Sequence, residues 1–227
     1  MKGLTELSGH LLLKVKNDDS THEEQCKLAS YSMDNLQQEL RSDNALKTFW
    51  INIYNAYYQI LAMNHNKSQG SIYNRIDIKI AGESFSLDDI EHGILRRYRW
   101  KWSKGYLPQI FTPAIIRKLA VHKIDYRIHF ALNCGAVSCP PIAFYDTERI
   151  DQQLEMATVS FLEGKTDIDT NHKTVTTSAL LSWFSGDFGG KKGALDKIGR
   201  ALDQDLSGYK LRFKKYNWEK QLANFSE

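Results

Sequence analysis

Phe49-Trp50-Ile51-Asn52-Ile53-Tyr54-Asn55-Ala56 sits inside a longer apolar pattern. Leu46, Phe49, Trp50, Ile53, Tyr57, Ile60 and Leu61 recur at steps of three and four, the spacing of one helical face. Asp43 or Asn44 is placed to cap this helix. So many aromatic and branched residues on it predict a central, mostly buried helix. Asn52 and Asn55 are out of character there, because asparagine is a poor helix-interior residue. Either they make buried polar contacts, holding a loop or orienting a histidine, or they face solvent.

Upstream, residues 3–15 and Thr21 to Leu40 read as helices. Downstream, Ile76, Ile78 and Ile80 alternate with Asp77 and Lys79, a strand that Ala81-Gly82-Glu83 turns into a hairpin with Ser84-Phe85. Ser86-x-x-Asp89 opens a helix expected to run to about Arg97. Pro113 begins another, through about Val121. Ile128, Phe130 and Leu132 alternate with His129, Ala131 and Asn133, predicting a strand over 127–133. Further helices are expected over Thr147–Glu163, Ser178–Phe184 and Gly193–Leu202, a hairpin around Asn171-His172, and a strand over Lys210–Lys214.

No repeat or linker-like stretch divides the chain. The expectation is one α+β domain over 1–227, with a core at about 44–222 on which the N-terminal helices 1–43 pack. Helices would surround a central aromatic-rich helix and a small antiparallel sheet.

The chain has 227 residues, 30 Lys and Arg, 27 Asp and Glu, and 42% hydrophobic residues. This excludes a disordered or collagen-like chain. The net charge of +3 is too mild to argue for nucleic acid. No apolar run approaches the roughly 20 residues of a membrane span. Leu11-Leu12-Leu13 is too short for a signal-peptide core. A cytoplasmic protein is therefore expected, or an exported mature form if a leader was removed. Three cysteines argue against a disulfide framework and a four-cysteine zinc site. No His, Asp or Glu cluster has metal-ligand spacing, and no cofactor is called for.

Four places carry candidate chemistry. Cys134 follows the predicted strand, where a rigid element gives way to a turn, and Gly135 and Ala136 leave backbone N–H groups near its sulfur. Cys134 and Cys139 either pair or remain free thiols. Glu91 falls among Leu87, Ile94 and Leu95 on a helical wheel of about 100° per residue, and His92 lies at that stripe's edge. A carboxylate there needs a partner or a raised pKa. His129, on the strand before Cys134, is a reserve base. Arg96, Arg97, Arg99 and Lys101, interleaved with Tyr98, Trp100 and Trp102, would grip an anionic ligand or complement a helix terminus.

Three echoes are set aside as chance. Asp187-Phe188-Gly189 lacks the other kinase motifs. Gly189-Gly190-Lys191-Lys192 lacks P-loop spacing. Asp167-x-Asp169-x-Asn171 lacks the glycine and glutamate of a calcium loop.

The Phe49–Ala56 helix, Leu87–Arg96, Arg127–Pro140 and a closing Tyr216-Asn217-Trp218-Glu219-Lys220-Gln221-Leu222 occur in that order. Together they resemble the domain of unknown function 547 family of bacteria and plants. The resemblance names no activity. Plant relatives that join this domain to a glutaredoxin module imply thiol chemistry. The set is also distantly similar to papain-like and transglutaminase-like folds, related by circular permutation because His92 precedes Cys134. That similarity implies a cysteine hydrolase or acyl transferase: Cys134 the nucleophile, His92 the base, Glu91 its orienter, and Asn52 or Asn55 behind them. The alternatives are a thiol-redox protein using Cys134 and Cys139, and a non-catalytic binding module.

Overall fold

In the computed structural model, residues 3–64 and 71–226 are described. Helices α1 (Leu4–Lys16), α2 (His22–Ser30) and α3 (Met33–Glu39) lead into the central α4 (Asp43–Met63). The single helix expected over 21–40 is broken at Tyr31. Ser32 has extended backbone, and its hydroxyl accepts from the Asn35 N–H to start α3. Ser42 caps α4 in the same way, accepting from the Ala45 N–H. Asp43, expected as the cap, instead accepts from the backbone N–H groups of His122 and Lys123. α4 is buried on nearly every side, with Trp50, Phe49 and Tyr54 among the largest enclosed side chains.

Strands β1 (Ile78–Ile80) and β2 (Glu83–Phe85) form the expected antiparallel hairpin, Ile78 opposite Phe85. Its turn residues Ala81 and Gly82 have φ of 52° and 78°, as a two-residue hairpin turn requires. Their N–H groups donate to Leu28 and Ala29 at the end of α2.

The segment after Ser86 is wider than an α-helix. Asp89–Leu95 is a π-helix, closed by bonds from the Arg96 N–H to the Glu91 carbonyl and from the Tyr98 N–H to the Gly93 carbonyl. α5 (Ala114–Leu119) packs against it.

The strand expected over 127–133 does not form; Tyr126–Phe130 is a 3-10 helix. Every residue from Ile128 to Asn133 is buried, so the alternation does not mark a wet face and a dry face. Asp125 caps the turn by accepting from the Arg127 N–H, and Lys47 of α4 holds Asp125 at 3.0 Å. The backbone groups that a neighbouring strand would have taken go to a side chain: Asn55 donates to the Ala131 carbonyl and accepts from the Asn133 N–H, both at 2.9 Å.

α6 (Ile150–Lys165), β3 (Asp167–Asp169), β4 (Thr174–Thr177), α7 (Leu180–Trp183), α8 (Gly190–Ala201) and β5 (Lys210–Phe213) complete the α+β fold. The second sheet is mixed, not antiparallel throughout: β3 pairs antiparallel with β4, and β4 parallel with β5. One apolar core surrounds α4, and a second lies among α6, β4 and α8.

Candidate functional site

Three amides on α4, at positions 52, 55 and 59, hold three separate loops. Asn52 clamps Tyr145, donating to its carbonyl at 2.9 Å and accepting from its N–H at 3.1 Å. Asn55 clamps the 131–133 backbone as above. Gln59 accepts from the Ala223 N–H at 2.9 Å. All three are fully buried, where an unpaired polar group is costly; Asn52 and Asn55 are paired at both ends of the amide, Gln59 at its oxygen alone. The asparagines therefore position backbone, and neither hydrogen-bonds a histidine among the described residues.

Asn55 thereby fixes the start of the cysteine loop, and Asn133 closes it. Asn133 donates to the Pro140 carbonyl at 2.7 Å and accepts from the Gly135 N–H at 2.8 Å. Gly135 has φ of 68°, and a Cβ there would stand 2.6 Å from the Tyr58 ring. The loop therefore excludes any larger residue at that position. Segment 216–222 runs alongside: the Val137 N–H donates to the Glu219 carbonyl and the Gln221 N–H to the Gly135 carbonyl.

Cys134 and Cys139 form a disulfide across this loop, with Cα atoms 6.0 Å apart. The two sulfurs differ. Cys134 is partly exposed and faces a cleft, whereas Cys139 is buried. The Cys139 sulfur is approached by the Cys134 N–H at 3.1 Å, the Ala136 N–H at 3.5 Å and the Tyr216 hydroxyl at 3.2 Å. The Tyr216 oxygen lies 3.4 Å from the Cys134 sulfur. Burial raises the Tyr216 pKa, so its hydroxyl keeps its proton.

The cleft has a volume of about 470 Å³. Aromatic rings furnish one wall: Trp183 and Trp218 stack 5.3 Å apart, and Tyr216 lies 4.6 Å from Trp183. The π-helix also presents Glu91 and His92 to the cleft. Tyr54 donates to Glu91 at 3.1 Å. The structure therefore brings Glu91, His92, His129 and Cys134 to one cleft, while Asn52 and Asn55 do not line it.

The charges behind this wall are fully enclosed. Arg96 makes bonds of 2.6 and 3.3 Å to Asp187, and neither side chain is exposed. His129 donates from Nε2 to the same carboxylate at 2.8 Å, which sets its tautomer, and its ring stacks on Phe184. Burial, chiefly, lowers the His129 pKa. Burial would raise that of Asp187, but the His129 and Arg96 hydrogen bonds outweigh it and hold the carboxyl below its ordinary range.

Arg96 also reaches His92 Nδ1 at 2.7 Å. Guanidinium only donates, so Nδ1 accepts and the imidazole is neutral, with its proton on Nε2. Burial, then Arg96, pull the His92 pKa down to about 3.

Of the four cations grouped above as a possible anion grip, Arg96 is withdrawn into this cluster. Lys101 pairs with Asp88 at 2.7 Å, and Arg97 is exposed. Asp187, set aside in sequence as part of a chance tripeptide, is the carboxylate at the cluster's centre. No local signal marks it, because its partners lie 58 and 91 residues away. Tyr216 was visible in sequence only as part of the closing motif. Among the described residues, no group of three or more His, Cys, Asp or Glu is placed to hold a metal ion. No helix there is long and apolar enough to cross a membrane.

The protein is thus an α+β chain with an aromatic cleft bordered by a disulfide. Residues 37–162 match the family described as Protein of unknown function, DUF547, and the chain belongs to that family. The match covers the α4, π-helix and cysteine-loop motifs but not the closing 216–222 segment. Neither the curated proteins nor the solved structures contain a match to this chain.

Proposed function

We propose that the Cys134–Cys139 pair performs thiol–disulfide exchange with a substrate thiol held in the aromatic cleft. The observation that carries this reading is the asymmetry of the two sulfurs. Exchange requires access to one sulfur and a good leaving thiolate at the other. Cys134 lines the cleft, whereas the buried Cys139 sulfur has two backbone N–H groups and the Tyr216 hydroxyl around it.

A substrate thiolate would attack the Cys134 sulfur. The substrate-sulfur–Cys134 bond forms, the Cys134–Cys139 bond breaks, and its electron pair leaves on Cys139. The three donors would stabilise that thiolate. A second substrate thiolate would then attack the substrate sulfur of the mixed disulfide and release Cys134. The dithiol substrate becomes a disulfide and the protein a dithiol. Run backwards, the same steps reduce a substrate disulfide.

The hydrolase reading, with Cys134 as nucleophile, asks His92 for an unprotonated nitrogen to act as base. Its Nδ1 accepts from Arg96 and its Nε2 carries the proton. Exchange needs no base held beside the sulfur, so the geometry favours it.

The test is trapping with glutathione disulfide in single-cysteine variants. Cys139→Ser is expected to accumulate a mixed disulfide on Cys134 in the folded state. Cys134→Ser is expected to label Cys139 slowly, because that sulfur is buried. The native disulfide should also open with dithiothreitol without denaturant. If it opens only on unfolding, the proposal fails.

A further inference from the structure

The loop between the π-helix and α5 carries an apolar surface turned outward. Trp102, Ile110 and Phe111 are 77%, 78% and 89% exposed, and Trp100, Tyr106 and Leu107 are about half exposed. Grouped exposed side chains of this size mark an interaction site more often than a solvated surface.

The loop's own hydrogen bonds hold it in this form. The Trp100 N–H donates to the Leu107 carbonyl at 2.9 Å, and the Gln109 N–H to the Tyr98 carbonyl at 2.7 Å. Ser103 Oγ donates to the Trp100 carbonyl and accepts from the Leu107 N–H. Arg117 and Thr112 tie down the far side through the Ile110 and Gln109 carbonyls. The base is anchored where Gly105 closes on Asp187, so tightly that a Cβ there would meet the carboxylate. Anchored at both ends, the apolar tips cannot fold inward without breaking these bonds.

Charge selects the partner. Of the chain's 30 basic residues, eight lie in 96–123, and none of its 27 acidic residues does. Arg96 is internal, but Arg97, Lys101, Lys104, Arg117 and Lys118 are exposed. The remainder of the chain is therefore net acidic, and the positive charge concentrates beside the apolar tips. Indole and phenol rings, an aliphatic and a phenyl tip, and a lysine–arginine rim match the boundary between headgroup and acyl chain.

We infer that the 97–118 face docks on an anionic lipid bilayer, with Trp102, Ile110 and Phe111 entering the interface and the basic rim meeting the headgroups. Lys101, Trp102 and Lys104 also line the cleft, so docking would set the cleft mouth at the membrane surface. The inference stands apart from exchange chemistry and uses neither cysteine.

The test is co-sedimentation of the full chain with phosphatidylcholine vesicles, with and without about one third phosphatidylglycerol. Binding is expected only with the anionic lipid, weakening as salt rises. Ile110→Ser with Phe111→Ser should reduce it at least about tenfold. Arg97→Gln and Lys104→Gln should each reduce it about fivefold. Ile110 and Phe111 face solvent, so their double variant should keep the wild-type Tm and its loss cannot be read as unfolding. Binding to neither vesicle, or equally to both, overturns the inference. So does anionic-vesicle binding that the serine pair leaves unchanged while heparin competes fully, which would assign the face to a soluble polyanion.

Discussion

Replacing Asp187 by asparagine should destabilise the protein more than any nearby surface change. The side chain keeps its shape and loses its charge. Arg96 then remains fully enclosed, with an amide where its carboxylate stood. An asparagine oxygen in the place of Oδ2, which serves Arg96 Nε and His129 at 2.6 and 2.8 Å, can still accept from both, but the amide NH2 then stands where Oδ1 accepts from Arg96 Nη2 at 3.3 Å, donor against donor. The Phe184 ring, 4.6 Å from the guanidinium, offsets part of the loss. Breaking one partner of a buried ion pair costs about 3–5 kcal/mol. For a chain of this size, each kcal/mol lowers Tm by about 2–4 °C. The expected fall is roughly 6–20 °C in calorimetry at pH 7, with a matching shift in the urea midpoint. The double variant Arg96→Met with Asp187→Leu removes both charges and should recover much of the loss. A single-variant effect under about 1 kcal/mol, or a double variant no better than the two losses added, would refute the view that this cluster is dry and mutually dependent.

Asn55→Ala leaves the Ala131 carbonyl and the Asn133 N–H without their partner. It should cost about 2–4 kcal/mol in urea denaturation and speed reductive opening of the Cys134–Cys139 bond; unchanged opening would detach α4 from the loop. Tyr216→Phe removes the hydroxyl from both sulfurs while keeping the ring on Trp183. It should raise the Cys139 thiol pKa in the reduced protein and slow disulfide opening, with little change in Tm. Lowering pH tests His92. Its folded pKa of about 3 lies below the roughly 6.5 of the unfolded chain, so the unfolded state takes up the proton first. The stability from this neutral ring is therefore complete above about pH 6.5 and is lost as pH falls toward 3, at up to about 1.4 kcal/mol per pH unit. His129, also lowered, adds a loss of the same sign. His92→Gln should flatten the urea-midpoint profile between pH 6.5 and 5, and an unchanged profile would show that His92 is protonated in the folded state.

The elements readable in sequence were those whose cause is local. α4, the β1–β2 hairpin with its Ala81-Gly82 turn, and the β3–β4 pair follow from periodicity and turn chemistry within a few residues. The misread segments had their backbone partners elsewhere. Residues 127–133 alternate like a strand, yet Asn55, some 76 residues earlier, takes the groups that a ladder would use. Over residues 86–97 a helical wheel of about 100° per residue fails, because the π-helical widening changes which side chains share a face. Glu91 and His92 nevertheless reach the cleft from it.

The candidate site divides along the same line. Glu91, His92, His129 and Cys134 stood out because their residue types are unusual for their local patterns, and all four border the cleft. Asp187 and Tyr216 are ordinary in their own neighbourhoods. They matter through contacts across 58 to 91 residues. Sequence alone determined the helical and hairpin framework, the reactive residue types and the family motifs, since these rest on short-range periodicity and composition. Tertiary structure alone decided that Cys134 pairs with Cys139 and that Arg96 is a buried counterion. It also decided that Asn52 and Asn55 clamp loops and that His92 is held neutral. The Arg96 and asparagine roles depend on which distant group arrives to satisfy a buried charge or hydrogen bond, while the Cys134–Cys139 and Arg96–His92 contacts, though near in sequence, depend on the shape the packed chain imposes on each short segment.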